Sequence, residues 1–347
     1  MPNIGTNSAT DGTQLSSAAV EAIRVDRISF AYGPREVVRE VSFAIGRGEF
    51  VTLLGPSGCG KTTLLSLIAG NAIPSSGRLF LRGVDAAAIP PSARRIGMVF
   101  QNYALFPHLS VRDNVGFGLD IRRTSNAERD ARIERMLDKV GLSPELWKRK
   151  PQAISGGQQQ RTAIARALVI EPEVLLLDEP FANLDRQLRE DLRNEIRQLQ
   201  QSMGVTTIMV THDREEAMQI SDRIGILREG SLLQFDTPEV VYRNPANAFV
   251  AALTGLVNIL KEWQGRTSPG GFAVRPESVR IGDGANACEW RRMATIRSIA
   301  FKGSGYLGDV ATDDGIALSI AIGSENRPPI GARLQIGIPE ASVWPLS

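Results

Sequence analysis

The sequence GPSGCGKT, at residues 55–62, places glycines, a lysine and a threonine in the pattern G-x-x-x-x-G-K-[ST]. Such glycines let the backbone curl so that successive N–H groups bind phosphate oxygens, and a following helix adds the positive end of its dipole. We expect Lys61 to contact the β- and γ-phosphates of a nucleoside triphosphate and the Thr62 hydroxyl to bind Mg²⁺. The predicted phosphate-binding residues are Gly55, Pro56, Ser57, Gly58, Cys59, Gly60, Lys61, Thr62 and Thr63.

The alternative to a phosphate loop is a glycine-rich structural turn, which the complete pattern between a strand and a helix disfavours. Within the loop, Cys59 is interpreted as a small packing residue rather than a catalytic thiol.

Two carboxylates, Asp178 and Glu179, follow the apolar run at residues 174–177. Ligands of doubly wound sheets bind at the carboxyl ends of the strands, which is where these side chains are predicted to lie. Asp178 can hold Mg²⁺ directly or through water, and Glu179 can orient and polarise the attacking water. Because phosphoryl transfer depends mostly on positioning and charge stabilisation, the pair suits hydrolysis of a triphosphate. A pair of surface acids after a strand is the plainer interpretation.

The elements that must position these residues form an alternating series. Buried strands are predicted at 48–55, 94–101, 173–179 and 205–212. Helices are predicted at 61–70, 127–141, 157–169 and 186–203. Strands that alternate with helices form a parallel sheet covered on both faces, so the predicted fold class is α/β. The earlier segments IRVDRISFAYG and VVREVSFAIG are predicted to form an antiparallel pair.

The sequence pattern changes near residues 244–257, after which short strands and glycine turns replace the long helical patterns. We therefore predict a small all-β second domain, a barrel or a sandwich. The predicted parts are a disordered tail at 1–20, an α/β nucleotide-binding domain at 21–245 with a helical subdomain at about 102–165, and the β domain at 246–347.

The composition is that of an ordinary globular protein, with 42% hydrophobic and 22% charged residues among 347. A net charge of +2 gives no electrostatic case for binding nucleic acid. The two cysteines, Cys59 and Cys288, cannot build a disulfide framework or a cysteine metal site, which fits a reducing intracellular setting. No apolar run approaches the ~20 residues that cross a bilayer, so any membrane function is expected to need another chain.

The sequence ISGGQQQR, at residues 154–161, follows the phosphate loop and precedes LLLDEP, ANLD and a histidine after a strand, His212. In this order the motifs resemble the ATP-binding subunits of ABC transporters, most of all importer ATPases that serve polyamines, ferric iron, phosphonates, sulfate or sugars. The resemblance covers residues 22–245 strongly. The sequences RPESV and GYLGDV make the C-terminal part similar to the oligomer-binding-fold, or TOBE-like, domain of those importers. The implied fold is the ABC type of P-loop NTPase domain followed by a small barrel.

The resemblance implies that two ATP molecules lie between two copies of the chain in a head-to-tail homodimer. The residues that would close over the partner copy's ATP are Ser155, Gly156, Gly157 and Gln158. Ser155 also stands at the N-cap position of a predicted helix, and the two glycines leave room for a phosphate near its free N–H groups. ATP would hold such a dimer closed until hydrolysis opens it.

Four further residues receive roles from the resemblance. Tyr32 matches the aromatic residue that stacks on adenine, and Gln101 matches the glutamine that senses Mg²⁺ and water and contacts the membrane subunits. Asp185 matches the loop that couples the two sites, and His212 matches the histidine that contacts the γ-phosphate. The plainer interpretations are strand packing, a strand-end cap, a helix cap and a structural histidine, respectively.

The expected activity is ATP hydrolysis that drives solute import, with ATP and Mg²⁺ as cofactors. The expected catalytic residues are Glu179, His212 and Gln101, and the expected Mg²⁺ contacts are Thr62, Gln101 and Asp178. The expected partners are a second copy, two integral membrane permease subunits and, indirectly, an extracytoplasmic solute-binding protein, without nucleic acid. The chain would lie peripherally on the cytoplasmic face of the inner membrane. The sequence FQNYALFPHL resembles that of polyamine importers more than that of iron importers, so the resemblance favours a polyamine or organic cation as the solute.

The alternative function is that of a non-transport ABC ATPase, a mechanochemical clamp on nucleic acid or the ribosome. Chromosome-type clamps need long heptad segments between the phosphate loop and the signature, but Ser155 lies only 94 residues after Lys61. Ribosome-type members usually carry two such domains in one chain. A nucleotide-binding regulatory module without turnover is a third hypothesis, which the presence of both Glu179 and His212 disfavours.

Overall fold

The computed structural model describes residues 21–182, 184–325 and 327–347. The tail predicted at residues 1–20 lies outside the described residues, and so does Asn183 of the ANLD motif.

Strands and helices alternate through the first part of the chain. Its strands are β1 (Glu21–Tyr32), β2 (Arg35–Gly46), β3 (Phe50–Leu54), β4 (Ser76–Leu81), β5 (Val84–Asp85), β6 (Ile96–Val99), β7 (Val174–Asp178), β8 (Thr206–Thr211), β9 (Arg223–Arg228) and β10 (Ser231–Asp236). Its helices are α1 (Lys61–Ala69), α2 (Val111–Ile121), α3 (Asn126–Lys139), α4 (Gly156–Leu168), α5 (Arg186–Met203), α6 (Arg214–Ile220), α7 (Pro238–Arg243) and α8 (Ala248–Thr254).

Strands predominate after α8. They are β11 (Asn258–Trp263), β12 (Arg266–Val274), β13 (Arg280–Ile281), β14 (Trp290–Phe301), β15 (Gly305–Thr312), β16 (Ala317–Gly323), β17 (Arg333–Ile338) and β18 (Trp344–Pro345).

The central sheet has the strand order β10-β9-β3-β8-β7-β6. From β9 to β6 the neighbouring strands run parallel, and β10 pairs antiparallel with β9. The four predicted buried strands are β3, β6, β7 and β8 of this sheet, so the α/β prediction is confirmed. Because these strands are parallel, their carboxyl ends meet at one edge of the sheet, where ligands of such folds bind.

The strand β7 is buried along its whole length. Leu175 and Leu177 belong to the core cluster that includes α2, α3 and α4, whereas Val174 and Leu176 belong to the cluster on the opposite face. Successive side chains of a strand point to opposite faces, and a strand that is covered on both faces reads as a continuous apolar run. The leucine-rich sequence before Asp178 therefore follows from its central place in the sheet.

A second sheet, of order β2-β1-β4-β5, is antiparallel throughout and contains the predicted antiparallel pair as β1 and β2. Its inner face shares a core with α1, since Ile23 and Val38 cluster with Leu64 and Ile68. This sheet fixes the position of α1, the helix that follows the phosphate loop.

The helices α2 and α3 and the start of α4 occupy the segment predicted as a helical subdomain. Their apolar faces are fully buried together, among them Val115 and Leu119 of α2 and Ile133 and Leu137 of α3. Within the described ranges, no helix is long and apolar enough to span a bilayer.

The C-terminal part contains a three-stranded sheet, β11-β12-β18, and a five-stranded sheet, β13-β17-β14-β15-β16, both antiparallel. The two sheets share one core, in which the rings of Trp263 and Trp290 lie 6.0 Å apart. The prediction of a small all-β fold after the α/β part is therefore confirmed.

The helix α8 and the buried Arg275 join the two parts of the chain. Val250 of α8 packs with the α/β core, and Ala251, the next residue, packs with Ala273 of the β part. The guanidinium of Arg275 donates hydrogen bonds to the carbonyl oxygens of Tyr242, Ala251 and Leu256 and to the Thr254 hydroxyl. The helix after residue 245 thus contacts both cores.

Candidate active site

The phosphate loop connects β3 to α1 and needs its glycines for steric reasons. A Cβ atom on Gly55 would lie 2.3 Å from the carbonyl oxygen of Leu227, and one on Gly60 would lie 2.6 Å from that of Val37. Gly60 also has a φ of 104°, which L side chains rarely adopt, at the N-cap of α1. The tight curl predicted from the sequence is therefore built by close approach of the backbone to β9 and β2.

The Lys61 side chain is folded into the loop, where 5% of the residue is exposed. Its Nζ donates hydrogen bonds of 2.8 Å to the carbonyl oxygen of Gly55 and 2.9 Å to that of Pro56. The neighbouring Cys59 is also buried, and burial raises the pKa of its thiol although Lys61 acts in the opposite direction. A thiol with a raised pKa is a poor nucleophile, which agrees with the interpretation of Cys59 as a packing residue.

Thr62 and Asp178 are joined by a hydrogen bond of 3.0 Å from the Thr62 hydroxyl to Oδ1 of the carboxylate. This bond connects the first turn of α1 to the carboxyl end of β7. Burial raises the pKa of Asp178, an effect that the bond from Thr62 and the charge of Lys61 partly oppose. A hydroxyl beside a carboxylate is a donor set that suits Mg²⁺ when water and phosphate oxygens complete the octahedron.

Among the described residues, no three His, Cys, Asp or Glu side chains come together to hold a metal. Thr62 and Asp178 would together supply two of the oxygens around a magnesium ion.

Glu179 is brought together with Gln101 and His212. Its Oε2 lies 3.3 Å from Nδ1 of His212, and Nε2 of Gln101 donates to the same oxygen over 3.4 Å. The three residues follow β7, β8 and β6, which are neighbours in the sheet. The Glu179 side chain is 18% exposed and that of His212 is 56% exposed, so the group opens to solvent on the histidine side.

The backbone at Glu179 has an unusual conformation. Its φ is 44°, in the left-handed region, and its N–H donates to the Val210 carbonyl oxygen over 3.0 Å. Residues held in this region carry strain that tends to concentrate at functional sites. Here the conformation ends β7 and places the Glu179 side chain beside His212.

Ser155 caps α4, as its position in the sequence predicted. Its hydroxyl accepts from the N–H of Gln158 over 3.3 Å, and Oε1 of Gln158 accepts from the N–H of Ser155 over 3.0 Å. This reciprocal pair is a capping box. A Cβ atom on Gly157 would lie 2.8 Å from a methyl carbon of Leu188, so the start of α4 packs closely on the first turn of α5.

Asp185 is the N-cap of α5, and its carboxylate accepts from the N–H of Leu188 over 3.0 Å. The capping role that the sequence allowed is therefore confirmed.

Tyr32 lies at the end of β1 and is 60% exposed, and its ring and that of Phe30 meet edge to face with centroids 4.8 Å apart.

A cavity of about 720 Å³ adjoins the phosphate loop on the side of the β1–β2 and β9–β10 turns. Its lining includes Val37 and Arg39 of β2 and Arg228 of β9, none of which the sequence motifs identified.

Asp213, which follows His212 and caps α6, was not identified by the sequence motifs either. An aspartate two residues before a pair of glutamates is a recognisable helix-start signal and could have revealed it.

Two family models match the chain. A model described as ABC transporter matches residues 38–182, within the α/β part, and one described as TOBE domain matches residues 272–346, within the β part.

Several relatives are similar over most of the chain. The Fe(3+) ions import ATP-binding protein FbpC of Fusobacterium nucleatum is 47% identical over 69% of this chain, which spans 64% of that relative, slightly under two thirds. The spermidine/putrescine import ATP-binding protein PotA of Bacillus cereus is 46% identical over 75% of this chain and 77% of its own length. The ABC transporter ATP-binding protein YdcT of Escherichia coli K12 is 41% identical over 91% and 94%, respectively.

Solved structures with a similar fold cover the α/β part. A post-hydrolysis dimer of the ATP-binding cassette MJ0796, bound to ADP and Pi, has a TM-score of 0.57 and 31% identity over 62% of this chain and 98% of that chain. The cbiO1 protein of Clostridium perfringens, part of the transporter complex cbiONQ, has a TM-score of 0.59 and 30% identity over 64% and 90%.

Proposed function

Because the chain belongs to the family of ABC transporter ATP-binding subunits, we propose that it hydrolyses ATP to drive import of a solute through two separate membrane permease subunits. The observation that carries this proposal is the meeting of Gln101, Glu179 and His212 beside the bond between Thr62 and Asp178. The relatives named as import ATP-binding proteins support the direction of transport.

The phosphate loop would bind the triphosphate through its backbone N–H groups and Lys61. The Lys61 ammonium, which is bonded to the carbonyl oxygens of Gly55 and Pro56, needs only to exchange those acceptors for phosphate oxygens. Thr62 and Asp178 would hold Mg²⁺, with Gln101 within reach of the same region. When bound, the ion supplies charge neutralisation at the phosphates.

Glu179 is proposed to orient and polarise the attacking water, since it directly follows Asp178 at the carboxyl end of β7 and contacts His212. His212 contacts Oε2 of Glu179, and more than half of its side chain is exposed, so it can meet a γ-phosphate. Gln101 holds the same oxygen from the opposite side. Together these residues position the water and stabilise charge, which is most of what phosphoryl transfer requires.

A second copy of the chain is proposed to complete each site in a head-to-tail dimer. Ser155 and Gln158 satisfy each other at the start of α4, so the capping box presents a fixed surface formed also by Gly156 and Gly157. Such a helix start suits the γ-phosphate of ATP held by the partner copy. Tyr32 would stack on adenine through its exposed ring.

A polyamine is the proposed solute, as the sequence FQNYALFPHL favoured, and PotA supports it as a relative named for spermidine and putrescine import. Ferric iron is the second candidate because FbpC has nearly the same sequence identity to this chain as PotA.

We place the chain peripherally on the cytoplasmic face of the inner membrane, with an extracytoplasmic solute-binding protein as an indirect partner. A clamp on nucleic acid or the ribosome draws no support from these relatives.

The transport assignment can be tested by purifying the tagged full chain from detergent-solubilised membranes of its own cells. Co-purification of two multispanning membrane proteins, together with loss of labelled spermidine uptake in a Glu179→Gln strain, is the expected result. Labelled Fe(III) uptake is measured in the same strain as the comparison. Recovery of nucleic acid or ribosomes in place of membrane proteins would contradict the proposal.

A further inference from the structure

The first turns of α5 and α6 lie side by side around a cavity of about 280 Å³, which is lined by arginine and carboxylate side chains of both helices. Each of these helices begins at or next to a residue to which the sequence motifs gave a role. Asp185 caps α5, and α6 starts directly after His212 and its neighbour Asp213. The contact between the two helix starts therefore connects two segments to which separate roles were assigned.

An ion pair crosses this contact. Nη1 of Arg189, in the first turn of α5, lies 3.7 Å from Oδ2 of Asp213, and about two thirds of each side chain is buried. The backbone N–H of Arg189 donates to the carbonyl oxygen of Asp185 over 3.0 Å. Arg189 is thus bonded through its backbone to the Asp185 loop and paired through its side chain with the residue after His212.

The other oxygen of Asp213 fixes the start of α6. Oδ1 accepts from the N–H groups of Glu215 at 2.7 Å and Glu216 at 3.3 Å. A displacement of the Asp213 carboxylate would therefore move the first turn of α6 and the peptide of His212 with it.

The residue before His212 is anchored as well. The hydroxyl of Thr211 donates to the buried carboxyl of Glu216 over 2.6 Å and accepts from the N–H of Asp213 over 3.0 Å. His212 is consequently held between two anchored neighbours, and the anchor at Asp213 is the one that pairs directly with Arg189 of α5. Arg189 is therefore the residue through which a movement of α5 would reach Asp213.

The contact is electrostatic rather than hydrogen-bonded. At 3.7 Å the pair can shift without breaking a hydrogen bond, and Nε of Arg189 and Nε of the buried Arg193 have no hydrogen-bond partner among the described residues. Charges that are partly withdrawn from water interact more strongly than exposed ones. The first turn of α5 can therefore move relative to α6 while still attracting Asp213.

We propose that Arg189 is a positioning residue through which the Asp185 loop sets the placement of His212 beside Glu179. This inference rests on the proposed function, in which a second copy closing on the Asp185 loop would move α5. Arg189 acts through Asp213 and contacts neither nucleotide nor water. Its role is to make hydrolysis at one site depend on the state of the dimer.

The test compares steady-state ATP hydrolysis by the full chain and its variants at saturating Mg²⁺. Arg189→Gln and Asp213→Asn are each expected to lower kcat by about 3- to 30-fold and to lower the Hill coefficient for ATP, with KM within about twofold of wild type. Asn keeps the helix cap at residue 213. The double variant is expected to lose no more than either single variant, and Arg189→Lys is expected to recover most of kcat.

Arg186→Gln is the matched control. It removes the same charge from the same turn of α5, but Arg186 is 82% exposed and pairs with Glu190 of its own helix at 3.6 Å. Wild-type kcat and Hill coefficient in Arg189→Gln, an equal loss in Arg186→Gln, or additive losses in the double variant would each overturn the inference. Non-cooperative hydrolysis by the wild-type chain would instead overturn the proposed dimeric function, and the inference with it.

Discussion

Nδ1 of His212 lies 3.3 Å from Oε2 of Glu179, although the two residues follow different strands of the central sheet. The parallel neighbours β7 and β8 end at the same edge, so the two side chains meet without any local sequence relation between them. The same edge carries Asp178 and the phosphate loop, which makes it the place where a water and a γ-phosphate can be held together.

Replacing Glu179 with Gln should stop turnover while leaving nucleotide binding intact. The amide keeps the shape of the side chain but cannot polarise water as a carboxylate does, so phosphate release is expected to fall by at least about 100-fold. The variant should accumulate as an ATP-bound dimer, measurable by light scattering after gel filtration with Mg²⁺ and ATP. Normal phosphate release, or a monomer at saturating ATP, would refute the assigned roles.

Lys61→Ala should weaken ATP binding by about 10- to 100-fold, because the variant loses charge-assisted hydrogen bonds to the phosphates. Titration calorimetry with a non-hydrolysable ATP analogue measures the affinity. Cys59→Ala is the matched control in the same loop and should bind like wild type, since the Cys59 thiol is a buried packing group. Unchanged affinity in Lys61→Ala would mean that the loop does not hold the triphosphate.

Glu216 should make stability depend on pH. Burial raises the pKa of this carboxyl, with the bond from Thr211 acting in the opposite direction. Between the ordinary glutamate pKa, about 4.3, and the raised value, the native state binds more protons than the unfolded chain, so stability falls as pH rises through that window.

Glu216→Gln removes this titration while its amide oxygen can still accept from Thr211. The variant should therefore gain stability relative to wild type as the pH is raised from 4 to 8, measured as the shift in thermal midpoint. Glu215→Gln, on the exposed face of the same helix, is the control and should show no such trend. A pH-independent difference between Glu216→Gln and wild type would argue against the raised pKa.

Arg275→Ala should destabilise the junction between the α/β part and the β part. Arg275 is 1% exposed. Its guanidinium donates hydrogen bonds to oxygens of Tyr242, Ala251, Thr254 and Leu256, and these buried acceptors would lose their donors. A loss of more than about 3 kcal/mol is expected, seen as a thermal midpoint several degrees lower.

Arg266→Ala provides the comparison for Arg275→Ala. Arg266 pairs with Glu340 at the surface, where more than half of its side chain is exposed, so its loss should cost less than about 1 kcal/mol. Equal midpoints for the two variants would show that the Arg275 bonds do not hold the junction.

Some features follow from local sequence and were predictable. The spacing of Gly55, Gly60 and Lys61 specifies a curled loop because only glycine tolerates the close backbone contacts found there. The caps at Ser155 and Asp185 are equally local, since a cap bonds N–H groups three residues ahead. Apolar periodicity likewise predicted four strands of the central sheet, β3, β6, β7 and β8, and the helices α1, α3, α4 and α5.

The arrangement of those elements was decided by the tertiary structure alone. Gln101 and Glu179 are 78 residues apart and meet because β6 and β7 are neighbours, an order that no periodicity encodes. The pairing of Arg189 with Asp213 and the burial of Arg275 depend in the same way on packing between distant segments. Periodicity and capping act over a few residues, whereas sheet order and helix contacts are set by the burial of the whole core. The motifs therefore predicted which residues could bind and hydrolyse a triphosphate, but only the tertiary structure determined how those residues are arranged.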